Sequence, residues 1–378
     1  MGMVRDAGTE DAPAALALLP NNFDLLRLAA AAQVLIVHLW DQFFSTEPLF
    51  IHLLRQAPGV PVFFFISGFL ISASWERNPD PSAFARNRLL RLAPAYLAVT
   101  LFTLACILAF AHLPLARDGG RLVLWLGAQL VLLCDWNPRF LRHYGDGVAN
   151  GSLWTIPIEV AFYIATPILY WLMRRSGRAA TVLGTAIVLS FAVDYLDHRI
   201  LGNGLPFKLL SLTPLPWFGM FCCGIAARRN LTVLMPLLRG RVWLWAALCL
   251  VLMVLCLRWR IPPILMSGSR FVGLANFAVL AMLTLSAAYT RPWLATRLLR
   301  RNDISYGLYL VHLPVGNALL ANGFVGLTGV LAAAGLSVAL AILSWFAIER
   351  PALARRISAL YPHAPLVTAR TPPARLAP

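Results

Sequence analysis

Arg27 and His38 stand eleven positions apart inside a largely apolar stretch that runs from Phe23 to Phe44. A stretch of that length crosses a bilayer as a helix. Eleven steps of about 100° return a helix to within roughly 20° of its starting direction, and the rise separates the two side chains by ~16 Å. Both therefore look into one groove, at different depths. Ionisable residues at membrane depth are costly unless they face a protein interior or a wet cavity, so two on one stripe predict a lined passage. Their chemistries differ: imidazole takes and gives a proton near neutral pH, whereas guanidinium stays charged and offers phosphate or carboxylate a planar fork of donors.

Several other residues add to this pair. Glu159 lies in Ser152-Leu-Trp-Thr-Ile-Pro-Ile-Glu159-Val-Ala-Phe-Tyr163. A carboxylate beside a histidine fixes its tautomer and stabilises its charged form, which general-base chemistry requires. Asp41, three residues after His38, is a second candidate partner, and its place near the helix end fits a solvated terminus as well. Arg88 and Arg91 share a helix face and suit phosphate oxygens. Positive charge at the ends of membrane helices would also put arginines there. His312 falls near the middle of its apolar segment, where it could line the passage or position a ligand. Tyr306 and Tyr309 form one face that serves either ligand contact or packing. A lone intramembrane histidine can also simply bond across helices. Ser67 has neither a neighbouring base nor the elbow motif of a nucleophilic serine.

The elements that hold these residues follow from composition. With 59% hydrophobic residues, only 13% charged ones and a mean hydropathy of +0.71, the chain reads as an all-α polytopic membrane protein, not a soluble globule. Apolar runs near 23–44, 58–75, 92–111, 152–173, 180–196, 208–227, 242–257, 271–289, 304–320 and 324–348 predict about ten transmembrane helices. The run at 122–133 is shorter and reads as a re-entrant or interfacial helix. Under that assignment the loops at 75–91, 174–178, 228–241 and 291–301, with the segment from 350, carry 20 Arg, against ten Lys or Arg in the opposite loops. The bias puts both termini in the cytoplasm and makes 112–151 a long outer loop. Three regions result: a cytoplasmic segment at 1–22, a membrane domain at 23–349, and a cytoplasmic, largely disordered tail at 350–378.

Charge and cysteine content narrow the class further. The net charge of +16 comes from loop arginines flanking the spans, so nucleic acid is not an expected partner. The six cysteines lie in or beside apolar segments and show neither a disulfide framework nor metal-ligand spacing. No metal is expected. The N-terminus lacks the three-part order of a cleaved signal, and the first span itself would direct insertion. Small residues among the phenylalanines from Gly59 to Gly68 suit close helix packing.

Topology sets depth. His38 lies ~9 Å and Glu159 ~10 Å from the outer ends of their helices, at one level, while Arg27 lies near the cytoplasmic mouth with Arg88 and Arg91.

Taken in order, these segments resemble the membrane acyltransferase-3 family, which modifies bacterial surface polysaccharides and related acceptors. The resemblance spans nearly the whole membrane region. It rests on Arg27 through His38, on Gly59 through Ile71, on Arg88-Leu-Leu-Arg91 with Pro94 and Tyr96, on Ser152-Leu-Trp through Glu159 and Phe162-Tyr163, on Ser305-Tyr-Gly-Leu-Tyr-Leu-Val-His312, and on Ile348-Glu349-Arg350-Pro351.

The resemblance implies transfer of an acyl group, usually acetyl, from cytoplasmic acetyl-CoA or another acyl-CoA to a hydroxyl of a carbohydrate or glycoconjugate. No permanently bound cofactor is implied. His38 would be the essential histidine, Glu159 the buried acid, and Arg27, Arg88 and Arg91 the arginines near the donor site; by their own placement on one helix, His312 and Tyr309 are further candidates for donor contact. His38 would act as general base, an acyl-histidine being the variant. The expected setting is the bacterial inner (plasma) membrane as a multi-pass protein, with an extracytoplasmic partner or homo-oligomer as candidate helpers. A transporter or flippase for a polar or lipid-linked molecule is the alternative, since it too lines a pathway with ionisable groups. A membrane glycosyltransferase is remote, because the 112–151 loop offers only scattered Asp118, Asp135 and Asp146.

Overall fold

The computed structural model describes residues 20–196, 204, 206, 209, 210, 212–261 and 271–360, and among these every regular element is a helix. In chain order the helices are α1 (Phe23–Phe43), α2 (Leu49–Gln56), α3 (Gly59–Arg77), α4 (Pro81–Phe110), α5 (Leu115–Leu130), α6 (Thr155–Ser176), α7 (Ala179–Leu196), α8 (Phe218–Arg229), α9 (Leu231–Leu238), α10 (Val242–Arg258), α11 (Phe271–Thr290), α12 (Leu294–Leu299), α13 (Ser305–Ala321), α14 (Gly326–Ser344) and α15 (Arg350–Leu360). Short 3-10 turns at Arg139–His143 and Gly151–Trp154 precede α6, and a π-helical turn, Trp345–Glu349, joins α14 to α15.

Six stretches are long and apolar enough to cross a membrane, and α8 with α9, bent by 90°, makes a seventh if the pair is one span. Ten were expected. The difference lies in α7, α10 and α13, of which the last two have 17 residues each. A 17-residue helix rises ~26 Å, short of a hydrocarbon core about 30 Å thick. The outward faces are apolar: Leu97, Leu101 and Leu108 of α4 are 43%, 60% and 50% exposed. A water-facing helix would not repeat leucine along that face, whereas acyl chains cover it at no cost. The protein is a multi-pass membrane protein.

Helix α5 corrects the expected segment at 122–133. It starts at Leu115 and ends at Leu130, leaving residues 131–133 in the turn that follows. Asp118, Leu122, Trp125 and Gln129 form its buried face at three- and four-residue steps. The polar Arg117–Gly120 stretch hides this helix start from a reading based on apolar runs, because Arg117 and Arg121 neutralise Asp118 at 3.2 and 2.9 Å. At the other end, Arg350–Leu360 is helical, so the expected tail begins with a further helix. Residues 1–19 and the proposed disordered tail at 362–378 lie outside the described residues.

Small residues set the tightest crossing. A Cβ on Gly68 of α3 would sit 1.9 Å from the Phe221 carbonyl oxygen of α8, and one on Gly224 would sit 2.1 Å from that of Phe65. Two backbones pack directly against each other there, as membrane helices do where glycine permits. The polar Gln33 of α1, between Arg27 and His38, serves the break between α2 and α3. Its Oε1 accepts from Gly59 N at 2.7 Å and its Nε2 donates to the Leu54 carbonyl at 2.9 Å.

Helix α13 is the central element. From Ser305 to Asn317 every residue except Tyr306 is buried, and the helix contacts α1, α4 and α14. A helix apolar on all sides belongs inside a bundle. Its C-terminal half also holds a loop: Asn317 Nδ2 donates to the Val148 carbonyl at 2.8 Å, and its Oδ1 accepts from Asp146 N at 3.0 Å. Asn150 Nδ2 adds a bond to the Leu310 carbonyl at 2.9 Å.

Candidate active site

Arginines come first, because their charge must be met inside the bundle. Arg27 Nη2 lies 2.5 Å from Asp24 one turn earlier and 3.1 Å from Asp303. Arg91 Nη2 lies 2.5 Å from the same Asp303 oxygen. One buried carboxylate thus receives two guanidinium groups from different helices. Burial alone would raise the Asp303 carboxyl, but the neighbouring Arg27 and Arg91 outweigh it and hold the group well below the usual carboxylate range. Arg88 has no ion pair among the described residues. Its buried Nε lacks a partner, and its guanidinium lies 5.3 Å from the Phe84 ring and 5.7 Å from the Tyr163 ring.

A cleft of about 650 Å³ opens between these arginines and α13. Arg27 and Arg91 line it with Phe63 and Ser67 of α3, Thr155, Glu159 and Tyr163 of α6, and Ser305, Tyr306 and Tyr309 of α13. Arg88 is not one of the lining residues; it lies against Tyr163, which is. The Glu159 carboxylate accepts a short hydrogen bond from Tyr163, one turn along α6. Tyr306 donates to the Leu92 carbonyl at 3.1 Å, beneath the Arg91 guanidinium. Charge at one end and aromatic faces along the walls suit a long ligand with an anionic head.

Tyr309 leads from the cleft to the histidines. Its hydroxyl lies 3.1 Å from that of Thr155, and its ring centroid lies 6.2 Å from that of His312. His312, fully buried, stacks on His38 at 5.2 Å between centroids, with His38 Nδ1 2.9 Å from His312 Nε2. The Leu308 carbonyl lies 3.2 Å from His312 Nδ1. A carbonyl only accepts, which assigns the His312 proton to Nδ1. Neutral His312 then accepts at Nε2 from His38 Nδ1–H. His38 Nε2 is left with a lone pair and, among the described residues, no hydrogen-bond partner.

Two expected partnerships change. The level match of Glu159 with His38 does not produce a contact: Glu159 bonds Tyr163, and the partner of His38 is His312. Equal depth does not fix rotation about separate helix axes. Asp41 is not bonded to His38 either, because Arg55 of α2 takes it, together with Glu47 at 2.8 Å. Arg27 and Arg91, by contrast, do come together.

Two residues escaped the sequence reading, and a third was named without its surroundings. Asp303 precedes its helix by two positions, and the pattern Asp303-x-Ser305 before an apolar run is a helix-start signal that could have exposed it. Glu349, known from the sequence only as part of the Ile348–Pro351 motif, is buried and accepts from Ser344 Oγ at 3.1 Å. Glu76 accepts from Arg228 Nε at 2.7 Å and from Tyr170 at 2.5 Å across three helices, with no local signal to announce it. Among the described residues, no group of three or more His, Cys, Asp or Glu side chains could hold a metal ion.

A family model described as an acyltransferase domain, acyltransferase-3, matches residues 21–348. The chain belongs to the acyltransferase-3 family. It is 34% identical over 352 residues to nodulation protein 10 of Rhizobium leguminosarum bv. viciae, covering 89% of this chain and 94% of that protein. An O-acetyl transferase of Shigella phage Sf6 is 28% identical over 204 residues, covering 52% of this chain and 60% of the phage protein. The acyltransferase MdmB of Streptomyces mycarofaciens is 26% identical over 315 residues, or 77% of each chain. No solved structure matches. Membership in this acyltransferase family makes the protein an acyltransferase and favours group transfer over transport.

Proposed function

We propose that this acyltransferase moves an acyl group, acetyl being the simplest, from cytoplasmic acyl-CoA to a hydroxyl of a carbohydrate or glycoconjugate. The observation that carries the reading is the Tyr309–His312–His38 series, which runs from an arginine-walled cleft to an imidazole with a free nitrogen. The arginines grip the phosphates of CoA by charge-assisted hydrogen bonds. The pantetheine arm lies along Tyr306 and Tyr309 and carries the thioester toward His38, ~16 Å deeper than Arg27 along α1.

Reaction begins when His38 Nε2 takes the proton of the acceptor hydroxyl. The oxygen attacks the thioester carbonyl, the C–S bond breaks, and the CoA thiolate leaves and takes up a proton. His312 holds the His38 ring in the tautomer this needs, as the third member of a hydrolase triad does. Glu159 with Tyr163 belongs to the donor wall in this reading rather than to the base.

The six long helices, the bent pair α8–α9, and α7, α10 and α13 make ten crossings in this proposal, the last three embedded against neighbours instead of spanning the full core alone. The arginine excess then puts both termini in the cytoplasm of a bacterial cell, with the protein in its inner membrane.

The purified protein in detergent is given acetyl-CoA and candidate glycans, and released CoA is read with a thiol reagent. Acceptor-dependent release that His38→Ala abolishes supports the reading. Near-native release by His38→Ala overturns the base, and absence of any CoA release by the wild type overturns the donor.

A further inference from the structure

Asp303 faces two ways. One carboxylate oxygen receives Arg27 and Arg91 at 3.1 and 2.5 Å. The other accepts from the backbone N of Ser305 at 3.2 Å and from its hydroxyl at 2.5 Å, at the start of α13. That helix carries Tyr306 and Tyr309 into the cleft and His312 onto His38. The carboxylate is therefore the direct link between the cationic wall and the helix that positions the imidazole pair.

Sharing has an electrostatic consequence. Asp303 is 6% exposed, and its neutralisation depends on the two guanidinium groups. An anion held by Arg27 and Arg91 brings negative charge beside it and draws on the same N–H donors. The two anions oppose each other, so occupation of the cleft loosens the hold of Asp303 and with it the first turn of α13. Arg27, already shared with Asp24, has little charge to spare.

We propose that Asp303 is a positioning residue that couples an anion bound at Arg27 and Arg91 to the placement of α13, and through it of His312. The proposal rests on the donor reading above. It assigns Asp303 no contact with reacting atoms. By linkage, if bound CoA loosens the hold of Asp303, the Asp303 charge weakens CoA binding to the same degree, and its removal tightens CoA.

CoA alone is the probe, added to the full-length protein in detergent, with affinity measured by calorimetry and backbone hydrogen exchange followed on peptides covering 303–312. In the wild type, CoA is expected to raise exchange across 303–309. In Asp303→Asn, CoA is expected to bind about fivefold or more tightly, near the lower end of common coupling factors, and to produce no further change in exchange, while turnover falls about tenfold. A merely structural role would not tighten CoA. Should Asp303→Asn fail to fold, Ser305→Ala removes the hydroxyl bond and leaves the charges. CoA affinity within about twofold of wild type, with a reduced exchange response and lower turnover, is then the supporting result. CoA binding without any exchange response in the wild type, or weaker CoA binding by Asp303→Asn, overturns this coupling alone. No CoA binding by the wild type overturns the donor reading and the coupling with it.

Discussion

His38 Nδ1 and His312 Nε2 lie 2.9 Å apart although 274 positions separate them in the chain. The Leu308 carbonyl sets the tautomer of one ring and thereby of the other. Removal of His312 should therefore cost catalysis without removing the base itself. Turnover of His312→Ala is expected to fall about 10²-fold or more, within the usual range for general-base contributions, while the KM for acyl-CoA stays within about threefold, as for a group that acts only in the transition state. Thiol-release kinetics measure both. Turnover above a tenth of wild type would sink the relay.

Arg88 and Arg91 differ in commitment: among the described residues, Arg88 has no ion pair and Arg91 is paired with Asp303. Arg88→Gln is expected to raise the KM for acyl-CoA about tenfold, worth ~1.4 kcal/mol, and to leave thermal unfolding in detergent nearly unchanged. Arg91→Gln is expected to lower the unfolding temperature as well, because loss of one partner from a buried ion pair costs about 3–5 kcal/mol. Equal stability of the two variants would contradict this division.

The crossing of α3 and α8 has no room for a methyl group at Gly224 or Gly68. Gly224→Ala should destabilise the protein by about 1–3 kcal/mol through overpacking, read as lower folded yield and a lower unfolding temperature in detergent. Gly184→Ala, where a Cβ meets nothing within 4 Å, is the control and should match the wild type.

Asp303 also makes a prediction about acid. Its folded carboxyl sits below the usual range, so the stabilisation it contributes is fully present above the unfolded value of about 3.9 and is lost as pH falls through the folded value. The gap in unfolding temperature between wild type and Asp303→Asn should stay constant from about pH 8 to pH 5 and narrow only below about pH 4. A gap that closes near neutral pH would show that Asp303 is not held ionised by its arginines.

Most of what the sequence disclosed was periodic or local. Apolar length announced α1, α3, α4, α6, α11 and α14, and the eleven-residue spacing put Arg27 and His38 on one stripe of α1. Local signals failed where polar residues stand inside a helix for tertiary reasons. Asp118, neutralised by Arg117 and Arg121, hid the start of α5. Glu349 stands in a recognisable motif, but nothing local to it shows that it is buried beside Ser344.

By itself the sequence determined a helical membrane protein with a charged stripe, because burial of the backbone in lipid demands helices and helices repeat every 3.6 residues whatever surrounds them. It also carried the family, through short motifs in a fixed order. Only the tertiary structure decided which groups meet: His312 instead of Glu159 beside His38, and Asp303 between Arg27 and Arg91. Depth along a helix can be counted from residue numbers, but the rotation and lateral approach of separate helices depend on how their side chains pack, and those contacts join residues hundreds of positions apart.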